Sequence, residues 1–541
     1  DEAMKQPCGM WDCMRSGIGG CMRAKKLRPF LLHLIFYIFL FSGSGMLYGR
    51  NLLFAQTRYS PATLQWRIAL NINLEYTLRS EDIRLEPPVS QFPSAAYSNG
   101  IDIQRNYFGQ LPFAVLSIEA GTALNSQGSD QRSYNDQGIG VAAEVDLRHG
   151  WTGDYFPVHN LPLKGTTPDI EANIIARSVL YWKSPMLDIG FGRDRLDYNG
   201  ILEGGFLPSR RIPYYDALRA QGKLGCFAFD WLVSTIQAVQ AWDKNDITPE
   251  VGYGFEDQPG TPTIIVEAMN RFSWHFGAFS VGVTDHAMMS RLNNHFVLTD
   301  FFPIGSRHQA SVAQTNNSMV FDASWEPFDG LAIAAQLGLD DIDLNVLVEG
   351  SDTGSPTIPA YLAAVRYDGE VRTLPYAFYL EAGSTHWLWG NYDGSQAWPT
   401  IGDVNYFARF IYRFPRYLGG SILLPLTSPY GPGAAWIQSH GELIIPIGSE
   451  NDRHPLSFGV GYRFLFLDMN TEANLITTQV YNNSTTPAAP HWQSFFISLP
   501  LRLSAGLFSL DIAPSFVGSG GSTGFELDIA LSGTIAFATV H

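Results

Sequence analysis

Apolar and polar residues alternate along long stretches of this chain. From Leu64 to Leu78 the even positions are apolar or aromatic, and the odd positions are Gln, Arg, Ala, Asn, Asn, Glu and Thr. The same period of two recurs from Ile139 to Trp151 and from Phe525 to Val540. A typical soluble strand has roughly five or six residues, whereas a tilted strand needs about 9–11 to cross hydrocarbon. The pattern therefore predicts long β-strands with one apolar and one polar face.

Weaker copies of this pattern fill the middle of the chain. With the three strong segments they give about eighteen strands, and sixteen to eighteen is the range that the pattern supports. They predict an all-β fold, a transmembrane antiparallel β-barrel, because bacterial barrels have an even number of strands in this range. The weaker segments are 113–124, 172–183, 186–193, 224–236, 263–275, 277–285, 318–326, 331–339, 361–368, 375–385, 404–413, 436–446, 455–466, 494–504 and 506–515.

The connections alternate between short turns and long polar loops. Gly518–Gly524 and Pro327–Gly330 are typical of tight links between neighbouring strands. The stretches 79–108, 340–360, 386–402 and 467–493 are rich in Pro, Gly and Asn, and we expect them to be loops on the opposite side. We also expect the last segment to close the barrel against the first. A large soluble sandwich or propeller is the alternative, and the strand lengths and the missing repeat period disfavour it.

The N-terminal region is typical of a secretory signal. The basic segment Met22–Arg28 precedes a run of twelve mostly apolar residues, Phe30–Phe41, and small residues follow at Ser42–Gly45 and again at Ala55. The apolar run is too short for a spanning helix, so we expect a signal peptide to be cleaved. The alternative is a membrane anchor. The predicted organisation is an upstream segment with signal peptide at 1–55, of which 1–21 precede a credible start at Met22, and a single barrel at 56–541.

Composition and charge agree with a barrel in the bacterial outer membrane. Charged residues make up 16% and aromatic residues 13% of the chain, whereas ordinary soluble domains have roughly 25% charged residues. The formal net charge is −16, and without residues 1–55 there remain 48 acidic and 28 basic residues, a net of −20. This balance repels phosphate backbones, so we expect no nucleic-acid partner. The expected partners are outer-membrane lipid and the barrel-insertion machinery.

Several short motifs carry possible chemistry, and we interpret none of them as catalytic. Gly520–Gly524 matches a nucleophile elbow, but that motif requires a strand-to-helix turn and here two strands flank it. His286 follows Asp285, yet no Ser or Cys can be assigned beside it. The chain also lacks the zinc-protease, phosphate-loop and dinucleotide motifs. We therefore predict no enzyme and no cofactor.

A group of three aspartates is the only weak metal candidate. Asp340, Asp341 and Asp343 could gather a calcium ion in a loop. The twelve-residue calcium-loop spacing with its Gly and terminal Glu is absent, so a solvated loop is the favoured interpretation.

One long connection mixes arginines, acids and tyrosines, which is unusual for a plain pore. This combination supplies planar hydrogen-bonding groups and apolar ring faces, the chemistry that holds a sugar. The other interpretation is a loop packed into the lumen by salt bridges, and it remains open. The candidate ligand-binding residues are Arg193, Asp194, Arg195, Tyr198, Arg210, Arg211, Tyr214 and Tyr215.

The central third of the chain, roughly residues 175–345, resembles the capsule-assembly Wzi family of outer-membrane proteins in the order of its local motifs. This resemblance implies one barrel of eighteen strands, with a lumen occluded by loops and helical pieces. It further implies that the protein binds exported capsular polysaccharide at the cell surface as a lectin. The motifs are Phe191-Gly-Arg193, Leu207-Pro-Ser209, Pro213-Tyr-Tyr215, Phe227–Trp231, Phe272–Asp285, Arg291–Asn294, Phe302–Ile304, Asn316–Asp322 and Leu331–Asp341.

Three functions follow as hypotheses. The first is an outer-membrane barrel that binds a surface polysaccharide or related glycan in the Wzi manner. The second is a porin or small-solute transporter, which would prefer cations because the chain is acidic. The third is a surface adhesin that uses its loops. Bilayer conductance separates the first two, because a large steady conductance contradicts an occluded lectin.

Overall fold

A computed structural model describes most of the chain beyond residue 64. The described residues are 65–87, 100–122, 138–150, 156–171, 174–237, 263–292, 298–301, 315–340, 358–390, 411–415, 421–447, 456–471, 473 and 490–540. The predicted signal peptide and its cleavage point lie outside them. Within these ranges, no helix has the length and apolarity that crossing a membrane requires.

Antiparallel strands form a closed barrel of eighteen positions. Nineteen strands share one sheet, and β20 and β21 together fill one position between β19 and β22. The strands are β1 Gln65–Arg79, β2 Ala114–Gly121, β3 Gly138–Leu147, β4 Leu163–Lys164, β5 Thr167–Pro168, β6 Ile175–Lys183, β7 Leu187–Asp194, β8 Tyr215–Leu224, β9 Phe227–Gln237, β10 Thr263–Phe276, β11 Phe279–Leu292, β12 Thr315–Phe328, β13 Leu331–Asp340, β14 Ile358–Val371, β15 Leu374–Thr385, β16 Ile411–Pro415, β17 Ser421–Pro425, β18 Ala434–Ile447, β19 Leu456–Asn470, β20 His491–Ser498, β21 Leu501–Ala505, β22 Phe508–Ser519 and β23 Ser522–Val540. The pairs β4–β5 and β16–β17 stand outside the barrel sheet.

The first and last strands close the barrel, as the sequence predicted. β1 pairs with β23 from Gln65 opposite Val540 to Arg79 opposite Glu526, without a register shift. Proline explains the break between β20 and β21, because Pro500 has no N–H to give to the ladder. Its carbonyl still accepts from the Gly461 N–H at 2.8 Å, so the two halves stay in line beside β19.

The two faces of the barrel wall differ as the alternation requires. On β1, Leu74 is 47% exposed on the outer face, whereas Thr77 is 3% exposed on the inner face. On β23, Leu531 is 46% exposed and Glu526 only 3%. Apolar side chains therefore cover the outside, and polar side chains point into a lumen in which they find partners.

The two ends of the barrel are also different. The end that contains Gln65, here called the turn end, joins most neighbouring strands by links of two or three residues, and its longer links are 122–137 and 448–455. The short links are 184–186, 225–226, 277–278, 329–330, 372–373 and 506–507. The opposite end, here called the loop end, has long connections such as 195–214. Its one tight link is Gly520-Gly521 among the described connections, with φ of 56° and 90°. Both values suit a hairpin turn that glycine adopts without strain, so the predicted hairpin is confirmed. Its predicted side was wrong, because it lies at the same end as the long loops.

Two strand predictions were wrong, and they cancel in the count of eighteen. β8 was missed because its outward positions include Asp216, Ala220 and Gly222, which give almost no apolar period. The segment 404–413 was predicted as a barrel strand. Within it, the residues from Ile411 onward belong to β16, which pairs only with β17. The aromatic and aliphatic residues of this segment resemble a lipid-facing strand in sequence, but β16 is not in the barrel wall.

The lumen is packed by segments that enter from the loop end. A short helix, Ile101–Ile103, continues into a wider turn, Gln104–Phe108, which the Gly109 N–H closes on the Gln104 carbonyl at 2.7 Å. Two apolar clusters hold these residues and the connection 195–214 to the wall, one around Phe206 and Trp389 and one around Tyr107 and Ile212. A short 3-10 helix covers Leu298–Phe301, and its Phe301 packs against a separate cluster around Val266 and Met289.

Candidate ligand-binding clefts in the lumen

The connection between β7 and β8, residues 195–214, crosses the lumen and is here called the crossing segment. It leaves the wall after Asp194 and reaches the inner face of the opposite strands. There the Phe206 N–H donates to the Gln336 side-chain oxygen on β13 at 2.8 Å. Phe206 is fully buried, and its ring lies 5.2 Å from that of Trp389. The crossing segment is thus part of the packed interior of the barrel.

A single buried carboxylate on β15, that of Glu381, anchors the crossing segment. Glu381 has no exposed surface, yet five donors satisfy it. Backbone donors matter most here because they fix the segment itself, and a close approach requires Gly204, where a Cβ would meet Glu381 at 2.7 Å. The donors are the Glu203 N–H at 2.8 Å, the Gly204 N–H at 3.1 Å, the Tyr379 hydroxyl at 2.6 Å, the Trp436 indole at 2.9 Å and the Gln438 amide at 2.6 Å.

The crossing segment is also braced from within. The Leu207 N–H donates to the Asn199 side-chain oxygen at 3.0 Å, and the Asn199 amide donates back to the Leu207 carbonyl at 2.8 Å. The Tyr215 hydroxyl donates to the Ser209 carbonyl at 3.2 Å and accepts from the Ser209 N–H at 3.0 Å. These local bonds satisfy backbone groups that would otherwise be buried without partners, so the segment keeps one conformation.

A second segment, 101–108, lies beside the crossing segment. The Gln104 amide donates to the Arg211 carbonyl at 2.7 Å, which joins the two segments. Arg105 pairs with Glu526 on β23 at 2.7 Å, which ties the second segment to the wall. Gln104 and Arg211 together form a ridge, and a cleft opens on each side of it.

The larger cleft has a volume of about 440 Å³ and combines cationic, amide and aromatic groups. Among the described residues, Glu203 is the one acid that lines it, and its carboxylate accepts from the His440 ring at 3.0 Å and lies 3.8 Å from Arg211. Burial acts to raise the pKa of Glu203, but the His440 hydrogen bond and nearby Arg211 outweigh it and hold the pKa below its usual value. Polar and ring side chains on its walls include Gln104, Arg105, Arg211, Tyr430, Gln438, His440, Arg463 and Phe496.

The smaller cleft, of about 300 Å³, lies across the ridge and has mixed charge. Arg195 pairs with Glu144 at 2.6 Å and Asp146 at 3.2 Å. Arg148 donates to the Tyr107 carbonyl at 2.8 Å, and burial lowers the pKa of this guanidinium. Its walls include Gln104, Phe108, Asp146, Arg148, Glu171, Arg195, Arg210, Arg211 and Tyr214.

Four of the eight predicted ligand-binding residues line these clefts. Arg195, Arg210 and Tyr214 line the smaller cleft, and Arg211 lines both. Arg210 is 71% exposed in its side chain and lies 3.6 Å from Asp197, so its guanidinium is largely open to solvent. The mixture of arginine and tyrosine that the sequence indicated is therefore present on the cleft walls.

The other four predicted residues have structural contacts. Arg193 makes a bidentate pair with Asp216, at 2.7 and 2.8 Å, and stacks 3.6 Å above the Tyr214 ring. Tyr215 braces Ser209, as described above. The Tyr198 N–H donates to the Pro208 carbonyl, its hydroxyl is buried without a hydrogen-bond partner among the described residues, and burial raises its pKa.

Asp194, the fourth of these, belongs to a ladder of charges on the inner wall. It accepts from Arg177 at 2.7 Å and from Arg219 at 2.6 Å. The ladder continues from Arg177 to Glu119 at 3.1 Å and from Glu119 to Arg67 at 2.8 Å. Salt bridges therefore connect β1, β2, β6, β7 and β8, which is the structural alternative that the sequence left open for this residue.

The metal and base candidates have structural contacts too. The Asp340 carboxylate is buried and accepts from the Gly390 N–H at 2.6 Å, whereas Asp341 and Asp343 lie outside the described residues. The His286 ring N–H donates to the Glu267 carboxylate at 2.9 Å, and the Ser234 hydroxyl donates to the same carboxylate. The Glu267 carboxylate therefore joins the hydroxyl and the imidazole as a shared acceptor.

Several cleft residues could not be found from the sequence. Gln104 and Arg105 lie in a segment that was predicted only as a loop, and His440 and Arg463 lie on ordinary strands. The one available signal was Glu203, which lies within the unusual connection between the predicted residues. Nothing in the sequence indicated which inward positions of β18 and β19 would meet it.

The apolar outer face, the polar lumen and the closed sheet of eighteen strand positions define a bacterial outer-membrane β-barrel. Proteins of this class have their short turns in the periplasm and their long loops outside the cell. No protein-family model and no curated protein sequence matches the chain. Three solved outer-membrane proteins resemble it over most of its length. Wzi of Escherichia coli, described as a carbohydrate-binding β-barrel involved in group 1 capsule assembly, is 11% identical with a TM-score of 0.43, and the match covers 86% of this chain and 83% of Wzi. OprD of Pseudomonas aeruginosa is 10% identical with a TM-score of 0.41, and the match covers 89% of this chain and 96% of OprD. OpdK of the same organism is 9% identical with a TM-score of 0.38, and the match covers 87% of this chain and 99% of OpdK.

Similarity at this level carries no argument about ligand or transport. OprD resembles the chain nearly as well as Wzi does. The Wzi resemblance therefore holds for the eighteen-strand outer-membrane barrel, and its finer implications have to be argued from the clefts themselves.

Proposed function

We propose that this outer-membrane barrel binds a glycan in the two lumenal clefts beside the crossing segment. The main support for this proposal is the composition of the cleft walls, where arginine and glutamine side chains lie beside aromatic rings. Planar hydrogen-bonding groups match the paired hydroxyls of a sugar, and ring faces pack against its C–H surface. A volume of about 440 Å³ is within the range of small-ligand sites.

The position of the clefts supports a chain-like ligand. Both clefts adjoin the Gln104–Arg211 ridge, so a ligand with several sugar units can occupy one cleft and continue into the other. The crossing segment is hydrogen-bonded to β13, to β15 and to Gln104 of the second segment, so the ridge is preorganised and little entropy is lost when a ligand binds.

A solute channel is the second candidate, and one observation favours it. Near the turn end, Arg366 pairs with Asp368 at 2.6 Å, and about half of each side chain is exposed. Arg502 pairs with Asp511 at 2.6 Å and is 49% exposed. Exposed ion pairs of this kind are typical of a water-filled lumen.

Binding and conductance together test the proposal. The purified barrel is tested for binding to an array of oligosaccharides, and its single-channel conductance is measured in planar bilayers. We expect binding, which Arg211→Ala weakens about tenfold or more because it removes a charge-assisted contact from both clefts. Arg366→Ala, which changes an arginine that lines neither cleft, is the matched control. A large steady conductance without glycan binding would establish the channel instead.

A further inference from the structure

The larger cleft contains an arginine without an ionic partner. Arg463 lies on β19, opposite His440 on one side and Ser498 on the other, and its side chain lines the cleft. Among the described residues, Arg463 makes no ion pair within 4 Å and no hydrogen bond. Arg211 and His440, its cationic and titratable neighbours in the cleft, both contact Glu203.

This arginine is an exception on the barrel wall. Every other arginine within a barrel strand whose side chain the structure describes pairs with a carboxylate. These are Arg67, Arg79, Arg177, Arg193, Arg219, Arg271, Arg366 and Arg502. Acidic residues outnumber basic residues in this chain, and each of these wall arginines has a carboxylate partner. The guanidinium of Arg463 has none among the described residues, which indicates that it is a site for an anion from another molecule.

The rest of the larger cleft strengthens that indication. Arg105 and Arg211 add two more guanidinium groups, and Glu203 is the one acid on the described walls. Arg105 is neutralised from behind by Glu526, and Arg211 by Glu203. The positive charge without an acidic partner on the described walls of the larger cleft is therefore that of Arg463.

We infer that the glycan carries an anionic group and that Arg463 receives it. This inference rests on the proposed function and specifies its substrate class: an acidic glycan whose carboxylate, sulfate or phosphate group accepts a two-pronged hydrogen bond from the guanidinium. Arginine suits this role because two N–H groups of its planar guanidinium can bind two oxygens of such a group at once. The ammonium of lysine is a point charge and lacks this two-pronged geometry. Phe496, which lines the same cleft, offers a ring for the uncharged face of the same sugar unit.

Three oligosaccharides of equal length and linkage test the inference by calorimetry with the intact barrel in detergent. One is neutral, one carries a uronic-acid carboxylate and one carries a sulfate ester. We expect the wild-type barrel to bind an acidic oligosaccharide at least tenfold more tightly than the neutral one. In Arg463→Gln this ratio should fall to about one, and in Arg463→Lys it should recover only in part. Arg366→Gln, which alters an exposed arginine outside both clefts, should keep the wild-type ratio.

The outcomes separate the two proposals. If all three oligosaccharides bind the wild type equally, the glycan site stands and the acidic class is wrong. If the preference is present but Arg463→Gln retains it, the anion is received elsewhere and the assignment of Arg463 is wrong. If none of them binds, the proposed function itself fails. A preference for carboxylate over sulfate, or the reverse, identifies the anionic group.

Discussion

Replacing Glu381 by Gln should release the crossing segment from the opposite wall. In the folded barrel, one carboxylate oxygen of Glu381 accepts from Gly204, Trp436 and Gln438, and the other accepts from Glu203, Gly204 and Tyr379. A glutamine amide turns one of these oxygens into a donor, so about three buried donors lose their acceptor. Hydrogen bonds to charged groups contribute about 1.5–3 kcal/mol, and an unsatisfied buried donor costs about 1–3 kcal/mol.

With partial relaxation, the docked state should lose about 3–6 kcal/mol. The population of the undocked state should then rise by roughly two to four orders of magnitude, since each 1.4 kcal/mol is a factor of ten. Amide hydrogen exchange measures this directly. We expect peptides from 199–207 to exchange much faster in Glu381→Gln, whereas the strand peptides of β1 and β23 keep their protection.

Glu442→Gln is the matched control, because it makes the same chemical change on β18 at a residue that pairs with Arg502 and does not touch the crossing segment. If residues 199–207 exchange equally slowly in both variants and in the wild type, then the Glu381 carboxylate does not hold the segment. The reasoning from donor counts would then be refuted for this site.

Two further predictions concern charge. Asp194→Asn should lower the free energy of unfolding by about 3–5 kcal/mol, because Arg177 and Arg219, both largely buried, lose this carboxylate partner. Thermal unfolding followed by circular dichroism measures the loss, and an unchanged melting temperature would contradict the prediction. Acidification should loosen the crossing segment, because its ion pairs with His440 and Arg211 hold the pKa of Glu203 below the ordinary value of 4.5. The stabilisation that Glu203 gives to the docked segment is therefore complete above pH 4.5 and is lost as the pH falls through the lowered pKa. Proteolysis within 195–214 should therefore increase below about pH 4.5 in the wild type and be independent of pH in this range in Glu203→Gln.

The barrel could be predicted from the sequence because its main signal is local. Alternation on β1 or β23 reflects lipid on one face and the lumen on the other, and this needs no knowledge of the partner strand. The signal failed where the outward face carried small or charged residues, as in β8 with Asp216 and Gly222. It also misled in 404–413, where aromatic residues alternate although β16, which begins at Ile411, is not in the wall.

The clefts were predictable only in part because they depend on contacts between distant residues. Arginines and tyrosines in one connection indicated a polar function, and Arg195, Arg210, Arg211 and Tyr214 do line the clefts. The role of Glu381 could not be predicted, because its donors Glu203 and Gly204 lie almost 180 residues away along the chain. A single inward glutamate on a strand looks the same in sequence whether it faces water or anchors a segment.

The crossing segment has a mechanical consequence as well. A closed sheet resists stretching along its hydrogen bonds but can flatten with little resistance, because flattening only bends the ladder. Here a strut of fixed length joins β7 and β8 to β13 and β15, through Gln336 and Glu381. Flattening along this diameter would compress or break the strut. The width of the clefts along this diameter therefore depends on the hydrogen bonds at Gln336 and Glu381, and breaking them should let the barrel flatten more easily.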